Sequence, residues 1–92
     1  MIQSFKHRGL KLLFTKGLKK GVNFEHVRKI LRILDQLNAA SNVKDMNYPG
    51  SGFHRLSGNW KDKYAVTVSG NWRIVFKFVN GECYDVDYID YH

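Results

Sequence analysis

The last five residues of the sequence concentrate side chains that transfer protons. The run Tyr88-Ile89-Asp90-Tyr91-His92 contains two tyrosines, one carboxylate and one histidine. Cleavage of RNA without a metal requires a base for the ribose 2′-hydroxyl, an acid for the leaving 5′-oxygen and a positive group for the charge that develops around phosphorus. The run suits the first two requirements, whereas a histidine at a chain end is more often simply exposed.

Two residues elsewhere extend this set. Arg73 lies one predicted hairpin before the C-terminal run. Its planar guanidinium matches phosphate oxygens, and the alternative is an ion pair with Asp87 or Asp90. His54 follows a Gly-Ser-Gly segment and begins the strand-rich half. We expect it either at the lip of an open sheet face or on an edge strand in contact with water.

The remaining histidines and the cysteine point to no cofactor. His7 and His26 lie among basic residues of predicted helices and are expected to be exposed. No two histidines have the short helical spacing of a zinc site, and no phosphate-binding glycine loop precedes a helix. Cys83 is the single cysteine, which excludes an intramolecular disulfide. We therefore expect neither a metal nor a nucleotide cofactor.

The charge balance favours a polyanionic partner. The formal net charge is +7, and residues 1–46 carry ten basic and three acidic side chains against five of each in residues 47–92. A solvated basic surface is the alternative explanation. Trp60 lies in a polar loop and suits stacking on a base. The candidate contacts to RNA or the ribosome are Arg55, Trp60, Lys61, Lys63, Lys16, Lys19 and Lys20.

Hydrophobic spacing predicts two helices in the first half. The first runs from Gly9 to Lys16, with Gly17 as its C-cap, and a short strand is possible from Ile2 to Phe5. The second begins after Asn23 as N-cap, with apolar residues at the helical period. Those apolar residues are Val27, Ile30, Leu31, Leu34 and Leu37.

The second half changes to a period of two, which is typical of antiparallel strands. Turns are predicted at residues 69–71 and at Asn80-Gly81. Helices followed by a meander indicate an α+β class, with two N-terminal helices packed on one face of an antiparallel β-sheet and the other face left partly open. The alternating positions are Tyr64, Val66 and Val68, then Trp72, Ile74, Phe76 and Phe78, then Tyr84, Val86 and Tyr88.

The hairpin at Asn80-Gly81 has two possible registers. A strict two-residue loop places Arg73 on the face of Asp90 and His92 but puts the apolar positions of the two strands on opposite faces. One extra residue, with Gly81 in a bulge, unites the apolar positions and turns Arg73 to the face of Tyr91. We favour the bulge, although alternation alone leaves both registers open.

Length and composition predict a single domain over residues 1–92. A chain of 92 residues builds one small core, and its aromatic content of 14% is far from that of a disordered chain. No apolar run reaches the length of a signal peptide or membrane span, and a lone cysteine suits a reducing compartment. We expect a cytoplasmic protein with no membrane partner.

Four separated segments together resemble the HigB toxins of the RelE superfamily. They are residues 1–14, His54-Arg55-Leu56-Ser57-Gly58, Asn71-Trp72-Arg73-Ile74 and the ending Asp90-Tyr91-His92. Four motifs in order over so short a chain are much more specific than any one of them. The resemblance covers the sequence from end to end.

The resemblance implies a RelE-like, microbial-ribonuclease type of fold and a toxin that enters the decoding site of a translating ribosome. Such a toxin cuts messenger RNA within codons, favours adenine-rich codons and acts poorly on free RNA. It also implies a helix-turn-helix antitoxin of the HigA type, which binds the toxin and represses their operon, so that operator DNA is contacted only through the antitoxin. The matching active-site residues are His54, Arg73, Asp90, Tyr91 and His92.

Within that resemblance, Arg73 is assigned to phosphate stabilisation and the other four residues to proton transfer or substrate positioning. One position departs from the family pattern, because relatives can carry a lysine three residues after the matching histidine, where this chain has Ser57. Charge stabilisation at that position is then in question. Arg55, Lys61 or Lys63 are the candidates to compensate.

Two other functional classes fit the same residues. A non-catalytic basic RNA-binding module would keep its RNA affinity without His92 and would never cut RNA. An adaptor for an acidic protein would use the positive charge for association and would leave translation unaffected. The C-terminal run and Arg73 favour the enzyme, chiefly through the resemblance.

Overall fold

The structure, a computed structural model, describes residues 1–60 and 62–91. Two helices precede a four-stranded antiparallel sheet whose strands follow one another in chain order. The predicted α+β class is therefore confirmed. The helices are α1 (Arg8–Lys16) and α2 (Val27–Ala39), and the strands are β1 (His54–Arg55), β2 (Lys63–Ser69), β3 (Trp72–Val79) and β4 (Glu82–Asp90); 3₁₀ turns span Phe24–His26, Val43–Met46 and Gly58–Trp60.

Side chains and glycine define the helix ends. His7 is the N-cap of α1, because its Nδ1 accepts the backbone N–H of Leu10 at 3.1 Å. Gly17 ends α1 in the left-handed region, as predicted, with φ of 69°. Asn23 caps a helical segment as predicted, but that segment is the 3₁₀ turn, and α2 begins only at Val27.

The sheet separates two apolar clusters of unequal size. Both helices pack on one face, here called the covered face, and the main core lies between them. On the other face, here called the open face, the loop between β1 and β2 covers a small cluster formed by Leu56, Ala65 and Val75. Fully buried members of the main core include Leu10, Ile30, Leu34, Leu37, Val66, Ile74, Phe76 and Val86.

The β3–β4 register shows where the extra residue lies. Val79 pairs with Glu82, so Asn80-Gly81 is a strict two-residue loop, and both of its residues have positive φ. Between the pairs Val75–Asp87 and Lys77–Tyr84, β3 advances by two residues and β4 by three. The predicted bulge at Gly81 is therefore wrong in position, because the bulge is inside β4.

The bulge is at Asp85, a non-glycine residue with φ of 54°. Its backbone N–H donates to Ser4 Oγ at 2.9 Å, and the next residue, Val86, donates its N–H to the Ser4 carbonyl at 3.1 Å. The N-terminal segment thus supports the bulge from the outer edge of β4. The result is the single apolar face that the favoured register predicted, with Cys83 rather than Tyr84 turned into the core.

The predicted N-terminal strand is present only as two isolated parallel bridges. Ile2 pairs with Cys83 and Phe5 pairs with Val86. These contacts cover part of the β4 edge, which would otherwise offer unpaired backbone groups. Among the described residues, no helix has the length and apolar character needed to cross a membrane.

Candidate active site on the open face of the sheet

The strand register places three of the predicted catalytic residues on the open face. His54 is opposite Ala65, which is opposite Val75 of the open-face cluster. Arg73 is two residues before Val75 on β3, so its side chain points to the same side. Tyr91 donates its backbone N–H to the Asn71 carbonyl at 2.7 Å and belongs to the open-face cluster. The sheet therefore brings His54, Arg73 and Tyr91 to one surface.

Their spacing follows from strand geometry. Arg73 is opposite Ile89 on β4, one row from Tyr91, and diagonal neighbours of this kind are about 7 Å apart. His54 is on β1, two strands from β3, which corresponds to roughly 10 Å across the sheet. Long side chains from these positions can reach a common group that binds above β2 and β3.

Arg73 has a donor left over. Its Nη1 donates to the carbonyls of Gly70 at 2.6 Å and Trp72 at 3.1 Å, which folds the guanidinium back over the β2–β3 turn. Its Nε is buried and has no hydrogen-bond partner among residues 1–60 and 62–91. In the part of the chain that the structure describes, no ion pair joins Arg73 to Asp87, and the Asp87 carboxylate accepts the backbone N–H of Tyr88 at 2.9 Å. A buried unpaired N–H is costly and normally finds an acceptor.

His54 is exposed and its ring has a defined proton. Nδ1 lies 3.0 Å from the Gly52 carbonyl oxygen, which can only accept. The hydrogen is therefore on Nδ1, and in the neutral ring Nε2 carries the free lone pair. This tautomer suits a group that accepts a proton from a substrate hydroxyl. The histidine is on the edge strand β1, so both sequence-based expectations for its position are met.

Trp60 and Lys63 adjoin Tyr91. The Trp60 ring meets the Tyr91 ring edge-on, with centroids 6.4 Å apart, and Nζ of Lys63 lies 5.2 Å from the Trp60 ring centroid. Lys63 is opposite Lys77, on the open-face side of β2. The predicted stacking residue is therefore half-buried in the open-face cluster rather than free in a loop. It forms one wall of the site beside a positive charge.

Asp90 faces the other side of the sheet. It is opposite Trp72, whose ring stacks on Tyr88 of the covered face. This is the orientation that the favoured register predicted. Its carboxylate is exposed, and its charge adds to the factors that raise the pKa of Tyr88. The strand end thus presents Tyr91 and Asp90 to opposite sides.

The predicted basic contacts divide into separate regions. Arg55 is opposite Tyr64, away from the side of His54, and lies 3.8 Å from exposed Asp62 in a surface ion pair. Lys16 is the last residue of α1, and Lys19 and Lys20 follow in the connection to α2; all three are exposed. The predicted residues Lys61 and His92 lie outside the described residues.

The exposure predicted for the other two histidines is wrong. His26 is only 8% exposed, and its Nδ1 lies 2.6 Å from the hydroxyl of Tyr88. His7 is half-buried, because its ring caps α1 and packs edge-on against Tyr88. Neither role had a clear sequence signal, because histidine is not one of the usual N-cap residues and Tyr88 is far from both histidines in the sequence. Among the described residues, no group of three histidine, cysteine or acidic side chains is arranged to hold a metal.

Burial makes the single thiol unreactive. Cys83 lies in the main core, and burial raises the pKa of its thiol to about 12. A thiol that remains protonated at neutral pH is a poor nucleophile. Cys83 therefore belongs to the packing of β4 and not to the candidate site.

Comparisons with known proteins agree with this arrangement. Residues 3–92 match the family model described as the RelE-like toxin of the type II toxin–antitoxin system HigB. The chain is also 42% identical over all 92 residues to the Endoribonuclease HigB of Proteus vulgaris, with both chains covered completely. The resemblance first drawn from four motifs is therefore confirmed. The chain belongs to the HigB family of RelE-like toxins of type II toxin–antitoxin systems.

Proposed function

We propose that the chain is an endoribonuclease that cuts translated messenger RNA in the decoding site of the ribosome, in the cytoplasm and preferentially at adenine-rich codons. The observation that carries the proposal is the guanidinium of Arg73, held on the open face with a buried and unpaired Nε. A phosphate oxygen is an acceptor that suits this guanidinium once it turns outward from the β2–β3 turn. The Proteus vulgaris relative, which bears the name of an endoribonuclease, supports the same activity.

The chemistry proposed is attack by the ribose 2′-hydroxyl on the adjacent phosphorus, without a metal. A base removes the hydroxyl proton, the new O–P bond forms, and the bond to the 5′-oxygen breaks as an acid protonates that oxygen. The products are a 2′,3′-cyclic phosphate and a free 5′-hydroxyl. Arg73 stabilises the charge on the non-bridging oxygens once its guanidinium turns from the Gly70 and Trp72 carbonyls toward the phosphate, while its backbone in β3 stays in place.

Proton transfer is assigned to residues around Arg73. Nε2 of His54 carries the lone pair in the neutral ring and serves as a proton acceptor on the β1 side. Tyr91 supplies a hydroxyl on the β4 side, and Asp90 extends from the opposite face of the same strand end. We assign Asp90 and His92 to further proton-transfer or positioning roles. The acid and the base therefore approach the phosphate from opposite sides of Arg73.

Lys63 replaces the lysine that the family can carry where this chain has Ser57. Of the candidates to compensate, Lys63 is on the open-face side and next to Trp60 and Tyr91, whereas Arg55 is on the opposite side and paired with Asp62. A cation over the Trp60 ring stays close to the site while its charge remains available to a phosphate.

Docking on the ribosome is assigned to the basic N-terminal half. No acidic residue occurs before Glu25, and Lys16, Lys19 and Lys20 are exposed. Neutralising several phosphates of ribosomal RNA gives affinity that falls steeply with salt. The family membership further implies an antitoxin, and we propose a HigA-type helix-turn-helix protein that binds this chain and through which alone the pair contacts operator DNA.

The experiment that tests the proposal is cleavage of a defined message on programmed ribosomes. Wild-type protein is compared with His92→Ala and with a ribosome-free control. Cuts that require both the ribosome and His92 support the proposal. An intact message with wild-type protein on ribosomes contradicts it and leaves a non-catalytic RNA-binding module.

A second message tests the chemistry. It carries one 2′-deoxyribose at the nucleotide 5′ to the mapped cut and is otherwise identical. The proposal predicts that this single change abolishes cutting at that position and that the normal product ends in a cyclic or opened phosphate. Unchanged cutting of the deoxy message would require a different nucleophile.

A further inference from the structure

A buried hydrogen bond lies directly behind the candidate site, on the covered face. Nδ1 of His26 and the hydroxyl of Tyr88 are 2.6 Å apart, and the two residues are 8% and 5% exposed. Polar side chains this deeply buried are costly unless they are paired. Apolar residues would fill the same space without that requirement, so the pair invites an explanation beyond packing.

Burial and hydrogen bonding act in opposite directions on the Tyr88 hydroxyl. Burial is the larger effect and raises the pKa of the phenol, whereas a backbone hydrogen bond from Asn23 lowers it. The ring nitrogen of His26 and the hydroxyl of Tyr88 can each donate or accept, so the tautomer of His26 sets the direction of their hydrogen bond. In either direction, this bond links the end of β4 to the 3₁₀ turn that precedes α2.

Tyr88 also holds the neighbouring strand. The Trp72 ring stacks on Tyr88 with a centroid distance of 4.5 Å, and His26 packs edge-on against Trp72 at 5.8 Å. The Trp72 carbonyl in turn accepts Nη1 of Arg73 at 3.1 Å. Tyr91 is three residues beyond Tyr88 on the same strand end. The two strand ends that carry Arg73 and Tyr91 thus share one anchor.

We infer that the Tyr88–His26 hydrogen bond positions the ends of β3 and β4, so that Arg73 and Tyr91 are held in the geometry required for RNA cleavage. Both are positioning residues, since they lie on the covered face and touch no substrate. The inference rests on the proposed function. It predicts that the pair affects the chemical step and leaves docking on the ribosome unchanged, because both side chains are buried and the lysines assigned to docking are exposed.

The test is single-turnover cleavage on saturating programmed ribosomes by Tyr88→Phe, which removes the hydroxyl and keeps the stacking ring. We expect the cleavage rate to fall roughly 10- to 100-fold, the effect of a small misplacement of catalytic groups. The toxin concentration that gives half-maximal cleavage should stay within about twofold of wild type, since uniform binding is not altered. Nitrogen NMR of the His26 ring reports directly on loss of the hydrogen bond.

Tyr64→Phe is the matched control. Tyr64 is on the same face of the sheet, half-buried and stacked between Phe53 and Phe76. The variant also removes a tyrosine hydroxyl, but away from the ends of β3 and β4 that carry Arg73 and Tyr91. This variant should cut at the wild-type rate. A loss in Tyr64→Phe equal to that in Tyr88→Phe would overturn the inference, because any buried hydroxyl would then have the same effect.

A second pair of variants keeps the test valid if Tyr88→Phe does not fold. His26→Asn keeps a polar amide atom near the Nδ1 position, which can pair with the Tyr88 hydroxyl in either direction, whereas His26→Leu has no polar atom there. The asparagine variant should cut within about threefold of wild type and the leucine variant roughly 10- to 100-fold more slowly. Equal rates for the two variants would overturn the inference.

Two further outcomes separate the inference from the proposed function. If Tyr88→Phe changes the His26 NMR signal but cleaves at the wild-type rate, the positioning inference is contradicted and the proposed function is not. The same holds if the loss of cleavage is explained entirely by weaker ribosome binding. A wild-type protein that leaves the message intact contradicts the proposed function, and this inference falls with it. The second outcome is read from the wild-type reaction without any variant.

Discussion

The covered and open faces of the same sheet differ in how they treat polar groups. On the covered face the buried hydroxyl of Tyr88 is matched with Nδ1 of His26, and Ile74 and Val86 nearby are apolar and fully buried. On the open face Arg73 keeps a buried Nε without a partner among the described residues. Unpaired buried donors lower stability and persist where they serve a ligand.

Alternate positions of the strands therefore serve the main core and the open face in turn. Ile74 and Phe76 of β3 point into the main core. Arg73, the residue before Ile74, points to the opposite face of the sheet, where His54 and Tyr91 also lie. Apart from Tyr88 and His26, a side chain on the covered face should therefore matter mainly for folding. One on the open face should matter mainly for cleavage.

Side chains buried on the covered face should contribute most to the free energy of unfolding. Phe76→Ala removes a fully buried ring between the sheet and the helices and should lower the free energy of unfolding by about 3–5 kcal/mol. Thr67→Ala, half-buried and opposite Arg73, should cost less than about 1 kcal/mol. Urea unfolding measures both. Equal losses would show that the two faces contribute alike to stability.

The next prediction concerns the pH dependence of folding. The pKa of the Cys83 thiol is raised by burial to about 12, whereas the unfolded thiol ionises near 8.5. Above the pKa of the unfolded chain, the thiol of the unfolded protein loses its proton while the buried thiol keeps it. Ionisation then favours the unfolded state, so stability that is fully present below the unfolded pKa is lost as pH rises toward the folded pKa. The free energy of unfolding should therefore fall between about pH 9 and 10 by up to roughly 1 kcal/mol more in wild type than in Cys83→Ala.

Thiol reactivity gives an independent check on Cys83. At pH 8 a disulfide reagent should leave native Cys83 unmodified and react quickly once the chain is unfolded in urea. Rapid labelling of the native protein would show that β4 opens locally. The parallel contact of Ile2 with Cys83 would then be weaker than described.

A further prediction concerns the cationic side chains near the open face. Lys63→Ala should slow cleavage roughly tenfold, as expected of one charge-assisted contact contributing about 1.4 kcal/mol. Arg55→Ala, whose guanidinium is exposed and paired with Asp62, should slow it no more than about twofold. Single-turnover rates on programmed ribosomes compare them. A larger loss of cleavage in Arg55→Ala than in Lys63→Ala would contradict the assignment of the compensating charge to Lys63.

Sequence patterns predicted the elements well because the apolar residues of α1, α2 and the strands follow the period of the element that buries them. They placed the bulge wrongly, since Tyr84, Val86 and Tyr88 alternate perfectly as a string. The chain instead buries Cys83 and inserts Asp85, and the support for that bulge comes from Ser4, about eighty positions away. Such long-range support has no local signal.

The candidate site was predictable in composition and only partly in arrangement. Arg73 and Tyr91 share a face for the reason the favoured register gave, and His54 joins them through its pairing with Ala65. The burial of His26 was missed, because its partner Tyr88 is distant in sequence. The roles of Arg55 and Lys63 could be separated only once strand pairing showed which side each one occupies.

The role of Arg73 in stabilising the charge on the phosphate can be tested by comparison with a second cationic residue on the same face of β3. Arg73 has the unpaired Nε, and Lys77, also on the open-face side, is paired with Asp85 at 3.8 Å. Single-turnover cleavage on programmed ribosomes should fall about 10²- to 10³-fold for Arg73→Ala, the usual effect of removing a donor to the developing charge. Lys77→Ala should remain within about threefold of wild type. Wild-type cleavage by a folded Arg73→Ala protein would contradict the account.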